Sequence, residues 1–90
     1  MKFEDALFNW LQIKLVADAR PDDNAAFETL SFFEQILTED HGLTEFVITK
    51  TDDTMIHVKY EKDGRTKFQL YPRELGEQLL TDIESNPKYN

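Results

Sequence analysis

An α+β fold with the element order ααβββα is predicted from three features of the sequence. Two N-terminal segments repeat apolar residues at helical spacing, three short segments then alternate apolar and polar residues, and a last segment returns to helical spacing. The connections between the strand segments are too short for a parallel crossover, so we predict an antiparallel meander with the helices packed on one face. The 90 residues are expected to form one domain over residues 1–84, with a frayed tail at residues 85–90.

The first helix is predicted from about Phe3 to Ala19. Arg20 precedes a proline, which disfavours helical backbone angles and ends the helix. The apolar residues of this segment, including Phe8 and Leu15, cover more than half of the helix circumference. We therefore expect the helix to pack on more than one neighbour, inside the domain or across an oligomer interface. Phe8 and Leu15 are the candidate contacts of a weak homodimer.

The second helix is predicted over residues 24–40. Asp22 or Asp23 is a suitable N-cap, because a short carboxylate accepts hydrogen bonds from the free N–H groups of the first turn. The expected buried face of this helix consists of Ala26, Phe27, Leu30, Phe33, Ile36 and Leu37.

Three strands are predicted over residues 43–50, 54–61 and 65–71, where β-branched and aromatic residues predominate. Side chains alternate between the two faces of a sheet, so each strand is expected to bury every second residue under the helices. The predicted buried residues are Phe46, Ile48, Ile56, Val58, Tyr60, Phe68 and Leu70.

The second hairpin is predicted to turn through three residues, 62–64, with Gly64 in a left-handed conformation. A two-residue turn would pair Tyr60 with Lys67 and place a core residue and a surface residue on the same face. A shift of one residue exchanges the two faces of a strand, so we expect the three-residue turn.

The last helix is predicted to begin at Pro72, which suits the first turn of a helix, and to bury Leu75, Leu79, Leu80 and Ile83. Gly76 lies inside it and lowers its helix propensity by roughly 1 kcal/mol relative to alanine. This cost suggests that Gly76 lies close to another element.

The net charge is −8, and it is unevenly distributed. Residues 46–73 carry six basic and four acidic side chains, whereas the segments on either side are strongly acidic. A protein of this charge is a poor ligand for nucleic acid, whose binding depends on neutralising phosphates. The basic segment is suited to an acidic partner instead.

The residues needed for catalysis or metal binding are sparse. The chain has no cysteine, Ser31 and Ser85 lie in no nucleophile motif, and the two histidines, His41 and His57, are isolated. The acidic residues around position 22 lack the spacing of a calcium loop. We expect no enzyme activity, no cofactor and no metal site.

A candidate interaction face follows from the predicted register, as the polar face of the sheet that the helices leave open. Its residues are Lys59, Lys67, Arg65, His57, Gln69 and Tyr71. In that register Lys59 lies directly opposite Lys67, and such a like-charge pair is either a solvated surface or a site for an anion.

Three classes of function are compatible with these features. The first is a non-enzymatic protein–protein interaction or regulatory module, the second a binder of anionic ligands or nucleic acid through the basic face, and the third a small enzyme or enzyme accessory subunit. We expect a cytoplasmic protein, because cysteine is absent and no apolar segment is long enough for a membrane span. A secreted protein whose signal has been removed is the alternative.

Overall fold

The computed structural model describes residues 1–85 and has the predicted α+β architecture with the order ααβββα. The tail expected at residues 85–90 lies outside the described residues except for Ser85. The elements are α1 (Phe3–Ala19), α2 (Asn24–Gln35) with a π-helical turn (Ile36–Asp40), β1 (Leu43–Thr51), β2 (Met55–Lys62), β3 (Arg65–Pro72), α3 (Arg73–Gly76) and α4 (Gln78–Ser85). The single C-terminal helix that the sequence predicts is thus interrupted at Glu77. Within residues 1–85, no helix is long and apolar enough to cross a membrane.

Helix α1 is the centre of the core, as its wide apolar arc predicts. Trp10 and Leu11 are almost completely buried, and α2 and α4 both pack against α1. These neighbours belong to the same chain, so the apolar arc is covered without a second copy. Phe8 and Leu15 are consequently only partly exposed: the ring of Phe8 lies 5.5 Å from that of Tyr71, and Leu15 packs against the core. The expectation that they are exposed apolar contacts is wrong.

Helix α2 begins as predicted. Asp23 is its N-cap, and the carboxylate accepts a hydrogen bond from the Ala26 N–H at 3.0 Å. This bond, together with the neighbouring Arg20, lowers the pKa of Asp23. Phe27, expected to be buried, is 42% exposed because a helix on the surface of α1 buries only the narrow stripe that faces it.

The sheet has the strand order β1-β2-β3 with antiparallel pairing throughout. We call the side on which the helices pack the helix side, and the other side the open face. Ile56, Val58 and Tyr60 of β2 lie on the helix side and are at most 8% exposed, as predicted. Trp10 of α1 packs edge-on against Phe46 of β1, which ties the first helix to the first strand.

The second hairpin turns through two residues, so the predicted three-residue turn is wrong. Asp63 and Gly64 have φ angles of 55° and 74°, and Tyr60 pairs with Lys67. The prediction that Gly64 is left-handed is confirmed, but Asp63 is left-handed as well. Two consecutive left-handed residues match the twist of the flanking strands, and Asp-Gly is a preferred sequence for such a turn.

The two-residue turn reverses the faces of β3 relative to the prediction. Phe68 and Leu70, expected in the core, lie on the open face and are 65% and 49% exposed. The reversal is tolerated because β3 lies at the edge of the sheet, where the helices cover little of it. Tyr71 is the most buried residue of β3, on the side where the helices pack. This burial raises the pKa of its phenol to about 12.

Gly76 makes the close approach that the sequence suggests. A Cβ atom at this position would lie 2.7 Å from Cδ1 of Ile56 and 3.3 Å from Cδ2 of Leu11. The missing side chain lets α3 rest directly on the junction between α1 and β2.

Candidate functional site

The six residues of the candidate interaction face do not share one face of the sheet. Pairing places His57 and Lys59 on the open face, whereas the four predicted residues of β3 lie on the helix side. Those four are Arg65, Lys67, Gln69 and Tyr71. The predicted faces are therefore wrong for β3. The apolar pattern does not select the register of this strand, because the turn follows the backbone preference of Asp63-Gly64.

The predicted pair of opposed lysines does not occur. Lys59 pairs with Phe68, and its ammonium group lies 3.5 Å from the carboxylate of Glu45 on the adjacent strand. Lys67 pairs with Tyr60 on the other side of the sheet. An anion site between the two lysines is therefore not present.

His57, on the open face, forms a short polar contact with the carboxylate of Asp52. Its Nε2 lies 2.9 Å from Oδ2 of Asp52, while Oδ1 of Asp52 accepts hydrogen bonds from the backbone N–H groups of Thr54 and Met55. These contacts hold the pKa of Asp52 well below its ordinary value, with the bond to His57 contributing most. Among the described residues, no group is hydrogen-bonded to Nδ1 of His57, so the pair lacks the third member of a nucleophilic triad.

This Asp52–His57 pair organises the first hairpin turn. The backbone N–H of Asp52 donates to the carbonyl of Met55, and Nη1 of Arg73 donates to the carbonyl of Asp52. The contacts connect the turn to the start of α3. These contacts are typical of a structural turn, and in the sequence only the acidic pair Asp52-Asp53 indicated them.

An apolar surface occurs where the sequence predicted a polar one. Phe68 and Leu70 project from β3 on the open face, and Val47 of β1, 40% exposed, lies on the same face. Lys59 separates Val47 from Phe68 across the sheet. We call Phe68 and Leu70 the open-face patch. The Asp63-Gly64 dipeptide was the signal that could have revealed it, because a two-residue turn forces this register.

The outer edge of β3 presents backbone groups that no other strand of the sheet pairs. In a hairpin closed by two residues, the pair that flanks the turn is hydrogen-bonded, and bonded pairs then alternate with non-bonded ones. Lys62 and Arg65 flank the turn. The N–H and C=O groups that point away from β2 are therefore those of Thr66, Phe68 and Leu70. The side-chain amide of Gln69 donates to the Leu70 carbonyl at 3.3 Å, which agrees with an outward orientation of that carbonyl.

The same edge carries two basic side chains that form no ion pair with a described carboxylate. Arg65 and Lys67 are exposed on the helix side, and within residues 1–85 no carboxylate lies within 4.0 Å of either side chain. In a chain of net charge −8, these two neighbouring cations without a described carboxylate partner concentrate positive charge on one side of this edge.

The surface hollows offer no comparable site. One of about 650 Å³, open to solvent, lies at the turn between α1 and α2, and the carboxylate of Asp23 beside it already caps α2. In the described part of the chain, no three histidine or acidic side chains converge as metal ligands. The exposed strand β3 is thus the surface that the geometry singles out.

Comparisons with protein-family models, with curated proteins and with solved structures find no match to this chain.

Proposed function

We propose that this chain is a non-enzymatic protein–protein interaction module of the cytoplasm, and that strand β3 is its contact surface. One observation supports the proposal above the others. Seven of the eight residues of β3 are exposed, and they include two large apolar side chains, Phe68 and Leu70. Exposed edge strands with apolar residues associate readily, and proteins normally shield them unless they are used.

The other two classes of function have less support. The cations expected to form one anionic-ligand face are divided between two faces, and Lys59 is paired with Glu45. The single Asp52–His57 pair is engaged in a turn. A cytoplasmic location rests on the absence of cysteine, which suits a reducing compartment.

Self-association stays a prediction, with different contact residues. Phe8 and Leu15 are occupied within the chain, whereas the open-face patch is free in the monomer. A homodimer would therefore pack through the exposed side chains of the open-face patch without pairing the β3 edges, and we expect replacements at Phe68 to change it more than replacements at Phe8.

A capture experiment with matched variants tests the proposal. The wild-type chain is compared with the double variant Phe68→Thr/Leu70→Thr, which retains strand propensity and removes the apolar surface. The control variant is Phe32→Gln, because Phe32 is 55% exposed on α2, away from the sheet. We expect proteins captured from the native cell extract by the wild type and by the control to be lost from the double variant.

Equal capture by all three proteins would contradict the proposal, provided that circular dichroism shows the double variant to be folded. Loss of capture by the Phe32→Gln variant alone would indicate that α2 is the contact surface, and this result would also contradict the proposal.

A further inference from the structure

Starting from the proposed function, we infer that β3 binds its partner by strand addition, and that the partner segment alternates acidic and apolar residues. The segment would lie antiparallel to β3 as a fourth strand of the sheet. This inference specifies the partner chemistry and the binding mode.

The backbone groups at the free edge provide the first step. Thr66, Phe68 and Leu70 direct their N–H and C=O groups outward, so an extended segment can form a regular ladder with them. Pro72 has no N–H and limits the ladder at its C-terminal end. The available edge is therefore about five residues long, the length of an ordinary short strand.

The side chains of β3 then determine what the partner carries. In an antiparallel ladder, directly opposed residues project to the same face. Partner residues opposite Phe68 and Leu70 lie on the open face, where apolar side chains extend the open-face patch. Partner residues that alternate with them lie on the helix side beside Arg65 and Lys67, which lack anions among the described residues. Carboxylates at these positions form favourable cross-strand pairs.

Charge also distinguishes this partner from a second copy of the chain. If β3 of two copies paired antiparallel, the edge would bring two further cations, Arg65 and Lys67 of the second copy, to the same side and supply no anion. Like charges gathered on one side of a sheet oppose pairing, whereas an acidic segment neutralises them.

The test uses a blocked synthetic peptide, acetyl-Gly-Val-Glu-Val-Glu-Val-Gly-amide, titrated into the ¹⁵N-labelled protein and observed by NMR. The outward amides of Thr66, Phe68 and Leu70 should exchange with solvent faster than those of Lys67 and Gln69 in the free protein, and should become protected when the peptide binds. We expect saturable binding with a dissociation constant below about 1 mM, the range of a short unstructured segment.

Charge exchange gives a matched control. The same peptide with lysine in place of glutamate should bind wild type at least about tenfold more weakly. The double variant Arg65→Glu/Lys67→Glu, which changes only exposed residues, should reverse that preference.

Backbone methylation tests the ladder itself. The valine N–H groups of an antiparallel peptide point towards β3 and the glutamate N–H groups point away. Methylating the central valine nitrogen should therefore abolish binding, and methylating a glutamate nitrogen should leave it within about twofold.

The inference is overturned if no saturable shift occurs up to about 2 mM peptide, if the lysine peptide binds equally well, or if glutamate methylation abolishes binding while valine methylation does not. Self-association that protects the same amides without peptide would assign the edge to a second copy and would also overturn it. If any of these results occurs while the double variant Phe68→Thr/Leu70→Thr still loses its captured partners, strand addition fails and the proposed function stands.

Discussion

The replacement Phe68→Thr tests the register of the second hairpin through its effect on stability. Full burial of a phenylalanine side chain contributes about 1.5–3 kcal/mol relative to full exposure. Phe68 is 65% exposed, so the covered third contributes at most about 1 kcal/mol. Threonine has a strand propensity close to that of phenylalanine, and the change therefore adds little cost of its own. We expect the free energy of unfolding to fall by less than about 1 kcal/mol.

The comparison variant is Ile56→Ala, because Ile56 is completely buried on the helix side of β2. Replacement of a buried isoleucine by alanine costs about 2–5 kcal/mol. Both variants are measured by urea unfolding, with the fluorescence of the buried Trp10 as the signal. The slope of the transition should stay constant, so that the midpoints report stability alone.

A loss of more than about 2 kcal/mol in the Phe68→Thr variant would refute the register, because it would place Phe68 in the core beside Val58, as a three-residue turn requires. The measurement is made at two protein concentrations. A loss that appears only at the higher concentration would come from self-association and would not bear on the turn.

Three further predictions concern the turns and the core. Gly64→Ala should lower the free energy of unfolding by about 1–2 kcal/mol, because Gly64 has a φ of 74°; an unchanged urea midpoint would argue against the left-handed turn. Gly76→Ala should lower the free energy of unfolding by about 1–2 kcal/mol, because crowding of Ile56 outweighs the gain in helix propensity. Adding Ile56→Val, which removes Cδ1, should restore part of this lost stability. Additive losses in that double variant would contradict the contact. Asp52→Asn should destabilise the protein near neutral pH and progressively less as the pH falls below about 4. The reason is that the folded protein holds the pKa of Asp52 below its ordinary value of 3.8. The ionised carboxylate therefore stabilises the folded protein fully above that value, and this stabilisation is lost as the pH falls through the depressed pKa. A difference in unfolding midpoint between the two proteins that stays constant from pH 6 to pH 2 would disprove this prediction.

The helices illustrate what periodicity can predict. The apolar arc of α1 is wide because several elements of the same chain share it, among them α2, α3 and α4. The sequence indicated several neighbours without showing which they are. The N-cap at Asp23 was predictable because capping depends on one side chain and the backbone next to it. Phe27 shows the limit, since its spacing suits a buried face and only the position of α2 on α1 leaves it exposed.

The candidate site was predicted less well, because it depends on one turn. The apolar pattern of β3 was interpreted as a core face, an inference that holds only for a strand covered by helices. At an uncovered edge, burial no longer selects the register, and the preference of Asp63-Gly64 for a two-residue turn decides it. The Asp52–His57 pair could not be expected either. Its surroundings depend on a register shift between Ile48 and Lys50 of β1 and on the hydrogen bond from Arg73 to the Asp52 carbonyl.

The sequence by itself determined the class of fold, the order and approximate bounds of its helices and strands, the cap at Asp23 and the close approach at Gly76. Each of these depends on hydrophobic period, backbone preference or steric size over a few neighbouring residues. Only the tertiary structure decided which neighbours cover α1, and which side of β3 faces solvent. The first outcome depends on how the helices pack against one another, and the second on a two-residue turn next to a strand of which only Tyr71 is partly buried. Because that turn places Phe68 and Leu70 on the open face and Arg65 and Lys67 on the helix side, the apolar residues and the cations of β3 lie on opposite sides of an edge that no other strand of the sheet covers.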